Sequence, residues 1–388
     1  MKLTKSVTST TSLSKAARSK NIKGEMKMKS LFYFIYSVFF HLSRIFPVKE
    51  KSVVLLSPHN ANFKDSLMYI REEFAGRGDF VFTEVSSREL DSVKTAVKFF
   101  TVKAFRLATA KYIFLNDTFM PMANLNFSKK AVIVQLWHGQ GILKKFIMDT
   151  NLTDEVRKNA QKCADKYSYV VVSSKKALPI CAGAFGVAEE KCLPFGQPAS
   201  DALYKNTKTH FYETFPELKG RKTVLYAPTF RDDPEADKEI LENFDIEKFN
   251  RELGEEYALL IRLHPQIHTS VPEEGVFNAT SYDDVNELIR ECDILITDYS
   301  SICMEFSMLG KPMLFFAYDL EKYKNDRDLY FEYEGYVPGK VVKTSDEMIE
   351  AIKNNDFDSE KNAKFREFNF DYFDGKSSER LADFLLKK

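Results

Sequence analysis

A histidine follows an apolar run in the first half of the chain, in residues 135–146, which read QLWHGQGILKKF. His138 is one of six histidines and stands beside Trp137, the single tryptophan. A polar side chain directly after a strand is delivered to the sheet edge where ligands bind. With an unperturbed pKa of about 6.5, an imidazole there suits a general base that acts on a hydroxyl at neutral pH. The alternative is that Trp137 and His138 close a core, with the lysines that follow in solvent.

Polar residues also follow three apolar runs of the second half. Arg231 comes after TVLYAP, His264 after YALLIRL, and Ser300 and Ser301 after DILITDY. Arginine matches phosphate oxygens with planar donors, and a serine turn at a helix start offers hydroxyls and N–H groups to an anion. Together they predict a diphosphate ligand at this edge. A structural histidine and an ordinary serine N-cap are the alternatives.

The predicted phosphate or nucleotide site includes further residues near the same strand ends. Its expected members are Thr229, Arg231, Arg262, Asp298, Ser300, Ser301 and Glu305. Glu305 lies four residues beyond Ser301, on the same face of a short helix, and its carboxylate suits ribose hydroxyls. An exposed surface glutamate is the alternative.

The elements that would position these residues alternate along the chain. Apolar runs predict strands at 52–57, 80–85, 111–117, 131–137 and 169–174, and again at 223–228, 257–264, 293–298 and 313–319. Charged or amphipathic segments between the runs are typical of strand and helix units that form a mostly parallel sheet. Two such halves, joined near residue 205, predict an α/β protein with two facing Rossmann-like domains and a ligand in the cleft between them.

Composition narrows the function. The chain has 388 residues, which favours about two domains, and its 56 basic and 56 acidic residues argue against a nucleic-acid binder that relies on bulk charge. Five cysteines without a C-x-x-C pair indicate reduced core thiols in a cytoplasmic protein. The motifs of dinucleotide, P-loop and zincin sites are missing from the sequence. The Asp pairs at 232–233 and 283–284 are a weak signal for a divalent ion, and no metal site is predicted.

The N-terminus differs from the rest. Residues 1–30 are rich in lysine, serine and threonine, and residues 31–48 read LFYFIYSVFFHLSRIFPV. A spanning helix needs about 20 mostly apolar residues, so this interrupted segment suits the membrane interface better. Its basic flank favours an anionic leaflet. The alternative is a helix packed on the protein's own core.

Five ordered motifs carry a resemblance to a known family. QLWHG with LKKF, LYAPTFRDD, RLHP, LITDYSS and KPMLFFAYDLEKY resemble the CDP-glycerol glycerophosphotransferases of teichoic-acid synthesis, over roughly residues 105–385. The resemblance implies the GT-B fold and a CDP-glycerol or CDP-ribitol donor, with no permanently bound cofactor. It also implies transfer of the alditol phosphate to a hydroxyl of a lipid-linked acceptor of a cell-wall or capsular polymer, with release of CMP.

The resemblance also implies roles for single residues. It makes His138 the base and places His264 against the donor diphosphate. It puts Arg231, Ser300 and Ser301 on phosphate-binding positions, Glu305 near the ribose, and Gly139, Lys144 and Lys145 on the acceptor side. The chain departs from the common family pattern in GQGILKK, where many relatives have GTPLKK, and at Ala199, where an arginine is usual.

Partners and location follow from the same resemblance. The expected partners are an undecaprenyl-diphosphate-linked saccharide and the anionic cytoplasmic face of the cell membrane, to which the protein would bind peripherally. Homo-oligomerisation is left open. The expected divisions are a membrane-associating segment (1–50), an acceptor domain (51–205) and a donor domain (206–388) whose last helix returns to the acceptor domain. A nucleotide-sugar transferase of the same fold and an inactive membrane-bound scaffold are the alternative functions.

Overall fold

The computed structural model describes residues 31–61, 63, 65–205, 209–231, 234–264, 266–267, 269–326 and 328–387. It contains two six-stranded sheets, whose strands run parallel throughout. The sheets confirm the predicted pair of Rossmann-like units. The basic leader and Asp232–Asp233 lie outside the described residues, as does part of the predicted connection near residue 205.

The first sheet has the strand order β2-β1-β3-β4-β5-β6, and the second β12-β11-β10-β7-β8-β9. The strands are β1 (Lys49–Ser57), β2 (Val81–Ser86), β3 (Ala110–Leu115), β4 (Val132–Gln135), β5 (Tyr169–Val171), β6 (Cys192–Leu193), β7 (Lys222–Ala227), β8 (Tyr257–Ile261), β9 (Phe277–Asn278), β10 (Ile294–Thr297), β11 (Met313–Phe316) and β12 (Lys340–Val342).

Helices cover both faces of each sheet. They are α1 (31–43), α2 (Ser66–Ala75), α3 (Val93–Lys98), α4 (Ala104–Ala108), α5 (Asp154–Ala164), α6 (Leu178–Phe185), α7 (Phe211–Thr214), α8 (Pro234–Glu242), α9 (Ile246–Leu253), α10 (Val285–Glu291), α11 (Ile302–Met308), α12 (Leu320–Asp326), α13 (Tyr333–Tyr336), α14 (Ser345–Lys353), α15 (Ser359–Asn369) and α16 (Ser377–Leu386).

Alternation along the strands explains the two-sided cores. In β1, Val54 and Leu56 belong to one apolar cluster, and Val53 and Leu55 belong to another on the opposite face. Successive strand side chains point to opposite faces, so a continuous apolar run is buried on both. The five cysteines are buried free thiols, as predicted.

The last helix returns to the first half of the chain. Leu381 and Leu385 of α16 pack in the same cluster as Val53 and Leu55 of β1. The carboxylate of Asp201 accepts the first backbone N–H groups of α16, from Ser377 at 2.8 Å and Ser378 at 2.9 Å. The C-terminus therefore ties the two sheets together, although the exact division of the chain into domains stays a prediction.

Helix α1 packs on the first half through one face only. Tyr36 and Phe40 are fully buried, and Tyr36 stacks on Phe99 at 4.6 Å between ring centroids. The opposite face is exposed and apolar. Among the described residues, none of the helices combines the length and the apolar character needed to cross a membrane.

Candidate active site

A strained turn delivers His138 to the edge of the first sheet. β4 ends at Gln135, and two residues later Trp137 adopts a left-handed backbone conformation with a φ of 62°. Such a φ is uncommon for a bulky residue and is concentrated at functional sites. The Trp137 N–H donates to Gln135 Oε1 at 2.8 Å, and its ring packs against Phe185 at 5.4 Å. The turn fixes where the next side chain, His138, stands.

The hydrogen bonds of His138 define its tautomer. Nδ1 lies 3.2 Å from the carbonyl oxygen of Asn116 and 3.4 Å from Asp117 Oδ2. A backbone carbonyl can only accept, so Nδ1 carries the proton and Nε2 of the neutral ring is left as an acceptor. The side chain is 48% exposed. His138 can therefore receive a proton from a bound hydroxyl.

Asp117 affects the pKa of His138. Burial lowers the pKa of His138, but the hydrogen bond and the charge of Asp117, the Asn116 carbonyl and the charge of Asp65 together outweigh burial, and the net pKa lies above its ordinary value. Burial raises the pKa of Asp117, but the hydrogen bond and charge of His138, the Thr118 N–H and the charge of His59 together outweigh burial and lower it. A carboxylate behind an imidazole stabilises the imidazolium that forms when the ring takes a proton.

His264 shows the opposite hydrogen-bonding pattern. It follows β8, stacks on Phe230 at 4.7 Å between ring centroids, and its Nδ1 accepts the backbone N–H of Gln266 at 3.2 Å. Because an amide N–H can only donate, the proton of the neutral ring is on Nε2. Burial lowers the pKa of His264, and the charge of Lys144 lowers it further. The ring is therefore a neutral donor at pH 7.

Arg231 makes several contacts within the protein, and its predicted contact with phosphate stays a prediction. Its guanidinium donates to Asp319 at 2.7 and 3.0 Å, to Asp298 at 2.9 Å and to the Thr229 carbonyl at 2.6 Å. These bonds use four of the five N–H groups, and the side chain is only 7% exposed. Removing one member of such a buried pair typically costs about 3–5 kcal/mol. In this arrangement Arg231 holds the sheet edge together, and one of its five N–H groups remains for a ligand.

Three other predicted donor-site residues also have structural partners. Asp298 is buried and accepts the N–H groups of Thr229 at 2.8 Å and Tyr299 at 2.6 Å. Arg262 Nη1 donates to the carbonyls of Ala279 at 2.9 Å and Tyr282 at 2.6 Å. These contacts fix the loops behind His264 and the serine turn, and the direct roles of Asp298, Thr229 and Arg262 at a ligand stay predictions.

The serine turn has the predicted form. β10 leads through Ser300 and Ser301 into α11, which ends before Gly310 at a φ of 69°. Ser301 occupies the N-cap position without a side-chain cap bond, and Ser300 Oγ accepts the Ile302 N–H at a long 3.4 Å. Ser301 is exposed. Anion binding by this turn stays a prediction.

Residues 139–145, here called the histidine loop, reach into the second half. Lys144 forms an antiparallel bridge with Leu329, and its Nζ lies 5.5 Å from the centre of the Tyr323 ring. Lys145 Nζ lies 3.9 Å from Asp328 Oδ2. The family resemblance implies that Lys144 is on the acceptor side, but in the structure it lies against the second half and its charge lowers the pKa of His264. The acceptor-side roles of Gly139 and Lys145 stay predictions.

Glu305 of α11 meets the histidine loop. Burial raises its pKa to about 7, and a hydrogen bond with the Gln140 side chain partly offsets that effect. The predicted contact of Glu305 with ribose stays a prediction. In such a contact, the Glu305 carboxylate would bond to both the ribose and the Gln140 side chain.

No cluster of three or more His, Cys, Asp or Glu side chains in the described part of the chain is arranged to hold a metal ion. Of the two Asp pairs, Asp284 caps α10 by accepting the N–H groups of Asn286 and Glu287.

Sequence reasoning missed Asn116, Asp117 and Asp319. All three follow apolar runs, KYIFL and MLFFAY, at strand ends. The rule that found Arg231 and His264, a polar residue at the end of a predicted strand, would have found them too.

Comparisons with known proteins identify the family of the chain. A family model described as CDP-Glycerol:Poly(glycerophosphate) glycerophosphotransferase matches residues 38–387. The teichoic acid poly(ribitol-phosphate) polymerase of Bacillus spizizenii is 34% identical over 369 residues, which cover 91% of this chain and 58% of that protein. The teichoic acid glycerol-phosphate primase of Bacillus subtilis is 31% identical over 384 residues, which cover 93% of this chain and 99% of that protein.

A solved structure shares the fold. The wall teichoic acid polymerase TagF, determined as a histidine variant, matches with a TM-score of 0.72 at 22% identity, over 97% of this chain and 98% of that one. The GT-B arrangement implied by the sequence motifs is thereby confirmed. Because the family model spans nearly all of the chain, the protein belongs to the CDP-glycerol:poly(glycerophosphate) glycerophosphotransferase family.

Proposed function

We propose that the protein transfers glycerol phosphate or ribitol phosphate from a CDP-alditol to a hydroxyl of a lipid-linked acceptor, with release of CMP. One observation carries the proposal: the two halves contribute histidines of opposite hydrogen-bonding character, an Nε2 acceptor at His138 and an Nε2 donor at His264. Family membership supplies the donor class. Phosphoryl transfer needs mainly positioning and charge stabilisation, so a base and a set of donors are sufficient.

The reaction assigns one task to each half. His138 Nε2 takes the proton of the acceptor hydroxyl while its oxygen attacks the β-phosphorus of the CDP-alditol. The bond between that phosphorus and the bridging oxygen breaks, and CMP leaves with the electron pair. Asp117 stabilises the imidazolium, and the proton then returns to solvent. The Nε2–H of His264, the charge of Lys144 and the serine turn stabilise the developing charge on CMP.

The alditol and the extent of transfer are part of the proposal. Relatives of similar identity are named as a ribitol-phosphate polymerase and a glycerol-phosphate primase. The chain spans 58% of the polymerase and 99% of the primase. We expect activity with either CDP-glycerol or CDP-ribitol on an undecaprenyl-diphosphate-linked disaccharide. Mass spectrometry of the product would give the alditol and the number of units added.

Nucleotide release separates this proposal from the alternatives. The protein would be incubated with CDP-glycerol, CDP-ribitol and a set of UDP-sugars, together with the lipid-linked disaccharide. CMP release that depends on both a CDP-alditol and the acceptor supports the proposal. Release of UDP alone would make the protein a sugar transferase, and no release from any donor would favour the inactive scaffold.

The outer face of α1 supports peripheral binding to the membrane. Leu31, Phe34, Val38 and Leu42 repeat at helical spacing and are 42–64% exposed. Exposed apolar residues in such a row are typical of a helix lying in the membrane interface. Deleting α1 would also remove Tyr36 and Phe40 from the core, so substitution is the cleaner test. Phe34→Asp with Leu42→Asp should abolish sedimentation with vesicles that contain phosphatidylglycerol. Unchanged sedimentation would contradict membrane docking through α1.

A further inference from the structure

The loop that carries the proposed base is anchored in the other half of the molecule. His138 belongs to the first sheet, but Leu143, five residues later, is buried in the apolar cluster of the second sheet beside Tyr299 and Met304. The histidine loop thus begins on one half and ends on the other.

Backbone hydrogen bonds fix the far end of the loop to the second half. The Tyr330 N–H donates to the Leu143 carbonyl at 3.1 Å, and the Lys145 N–H donates to the Asp328 carbonyl at 3.0 Å. These two bonds flank the bridge between Lys144 and Leu329. The loop is therefore held by main-chain contacts as well as by burial of Leu143.

One buried amide makes the central contact of this anchor. Asn369, the last residue of α15, is fully buried, and its Oδ1 accepts the backbone N–H of Ile142 at 2.8 Å. Its Nδ2 donates to the Phe365 carbonyl at 3.0 Å and to Tyr336 Oη at 2.9 Å. The amide is therefore fixed by its own half and offers one oxygen to the loop of the other.

The neighbouring glycine shows how close the contact is. Gly141 has a φ of 66°, and a Cβ built on it would lie 2.5 Å from Met304 Sδ and 3.1 Å from Asn369 Oδ1. A side chain at this position would be strained by the backbone conformation and would push the loop away from α11 and α15. The absence of a Cβ at residue 141 lets the loop reach Asn369.

We propose that Asn369, in the second half of the chain, is a positioning residue for His138 and acts by holding the histidine loop at Ile142. This inference rests on the proposed role of His138 as the base. Asn369 touches neither the donor nor the acceptor in this account. It acts by keeping the imidazole, four residues before Ile142, at the distance from the donor half that in-line attack requires.

A matched pair of variants tests the proposal. Asn369→Ala removes the oxygen that holds the loop, and Asn362→Ala removes another buried amide of α15, whose Nδ2 bonds to the Lys311 carbonyl at 3.2 Å. We expect Asn369→Ala to lower kcat by about 10- to 100-fold, with the KM for the CDP-alditol within about twofold of wild type. Asn362→Ala should keep the kcat of wild type at a similar melting temperature. Equal kcat values in the two variants would overturn the proposal.

A second variant approaches the same contact from the loop. Gly141→Ala should reproduce the loss of kcat, and the double variant Gly141→Ala/Asn369→Ala should lose no more than the larger single effect, because both changes release one contact. Additive losses would overturn the proposal. If Asn369→Ala does not fold, the test rests on Gly141→Ala. A wild-type kcat in Gly141→Ala would then overturn the proposal.

A readout without turnover separates this inference from the proposed function. The imidazole of His138 would be titrated by NMR in the wild type and in Asn369→Ala, with His138→Gln to assign its signals. Release of the loop should weaken the contact with Asp117 and lower the pKa of His138 relative to wild type. An unchanged titration would contradict positioning by Asn369, whereas a protein that positions His138 but transfers no alditol phosphate would contradict only the proposed function.

Discussion

The two sheet edges present histidines in different ways. At the first edge, His138 is half-exposed, its Nδ1 is held by the Asn116 carbonyl and Asp117, and its pKa is raised. At the second edge, His264 accepts a backbone N–H at Nδ1, and burial together with the charge of Lys144 lowers its pKa. One ring is prepared to gain a proton, and the other is kept neutral with a proton to donate.

This difference shows that the neighbouring groups of a histidine determine whether it is suited to act as a base or as a hydrogen-bond donor. A carboxylate behind a ring favours the imidazolium, and a lysine beside a ring disfavours it. Each strand end alone is compatible with either role. The two environments together match what the attacking and leaving sides of a phosphoryl transfer need.

Loss of the base should have the largest effect. His138→Ala removes the only group here assigned to take the hydroxyl proton, and general bases typically contribute about 10²- to 10⁴-fold to the rate. We expect kcat for CMP release to fall within that range while CDP binding by calorimetry persists. His210→Ala, a histidine exposed on the second half and paired with Glu213, is the control. A kcat near that of the control would remove His138 from the mechanism.

Loss of the hydrogen-bond donor His264 should have the next largest effect. Removing one hydrogen-bond donor to a developing charge typically costs about 10²- to 10³-fold in kcat. His264→Ala should lose this much, and His264→Gln should recover part of it, since an amide can still donate. Steady-state kinetics with the CDP-alditol would show it. Identical losses in both variants would mean that His264 contributes its shape and not its proton.

A change of the charge behind His138 should have a smaller effect with a defined pH signature. Since the base must be neutral, kcat/KM should rise with pH through the raised pKa of His138. Asp117→Asn removes the largest contribution to that rise, so the acid limb should move to lower pH while the plateau falls. Asp79→Asn, at a fully exposed carboxylate, is the control. The acid limb would be measured from pH–rate profiles of kcat/KM. If it lies at the same pH in Asp117→Asn as in wild type, a group other than His138 is responsible for it.

The smallest expected effect concerns stability at Glu305. This carboxyl has an ordinary pKa of 4.5 and one of about 7 in the folded chain, so folding holds its proton more tightly. The stability it contributes is therefore lost as pH rises from about 4.5 through about 7. Glu305→Gln does not ionise, and its melting temperature should fall less than that of wild type between pH 5 and pH 8. Parallel melting curves at the two pH values would contradict a buried, titrating Glu305.

Nine strands were predictable from the sequence, including the three-residue β5 within the run at 169–174, and β6, β9 and β12 were not. The runs at 52–57 and 223–228 correspond to β1 and β7, because a sheet covered on both faces requires continuous apolar residues. β6 and β9 have two residues each and β12 has three, which leaves too few positions for a periodic pattern. The sequence analysis expected the last helix to return to the first half, but the contact of α16 with Asp201, 176 residues from Ser377, has no local pattern.

The site was predictable in its position but less so in its contacts. Strand ends located His138, His264 and the serine turn. Arg231 satisfied the same pattern, yet its partner Asp319 lies 88 residues away and occupies the guanidinium. The contact of Lys144 with the donor half was not predictable, because a residue's place in one half does not reveal that its loop crosses to the other. Such long-range pairings are set by tertiary packing and leave no local pattern.

The tautomers of the two histidines test the central claim most directly. Long-range ¹⁵N–¹H correlation spectra of the full chain, assigned with His138→Gln and His264→Gln, report which ring nitrogen carries the proton. At a pH above both pKa values, we predict the proton on Nδ1 of His138 and on Nε2 of His264. The same tautomer at both rings, or the reverse of this pair, would contradict the division of base and donor between the two halves.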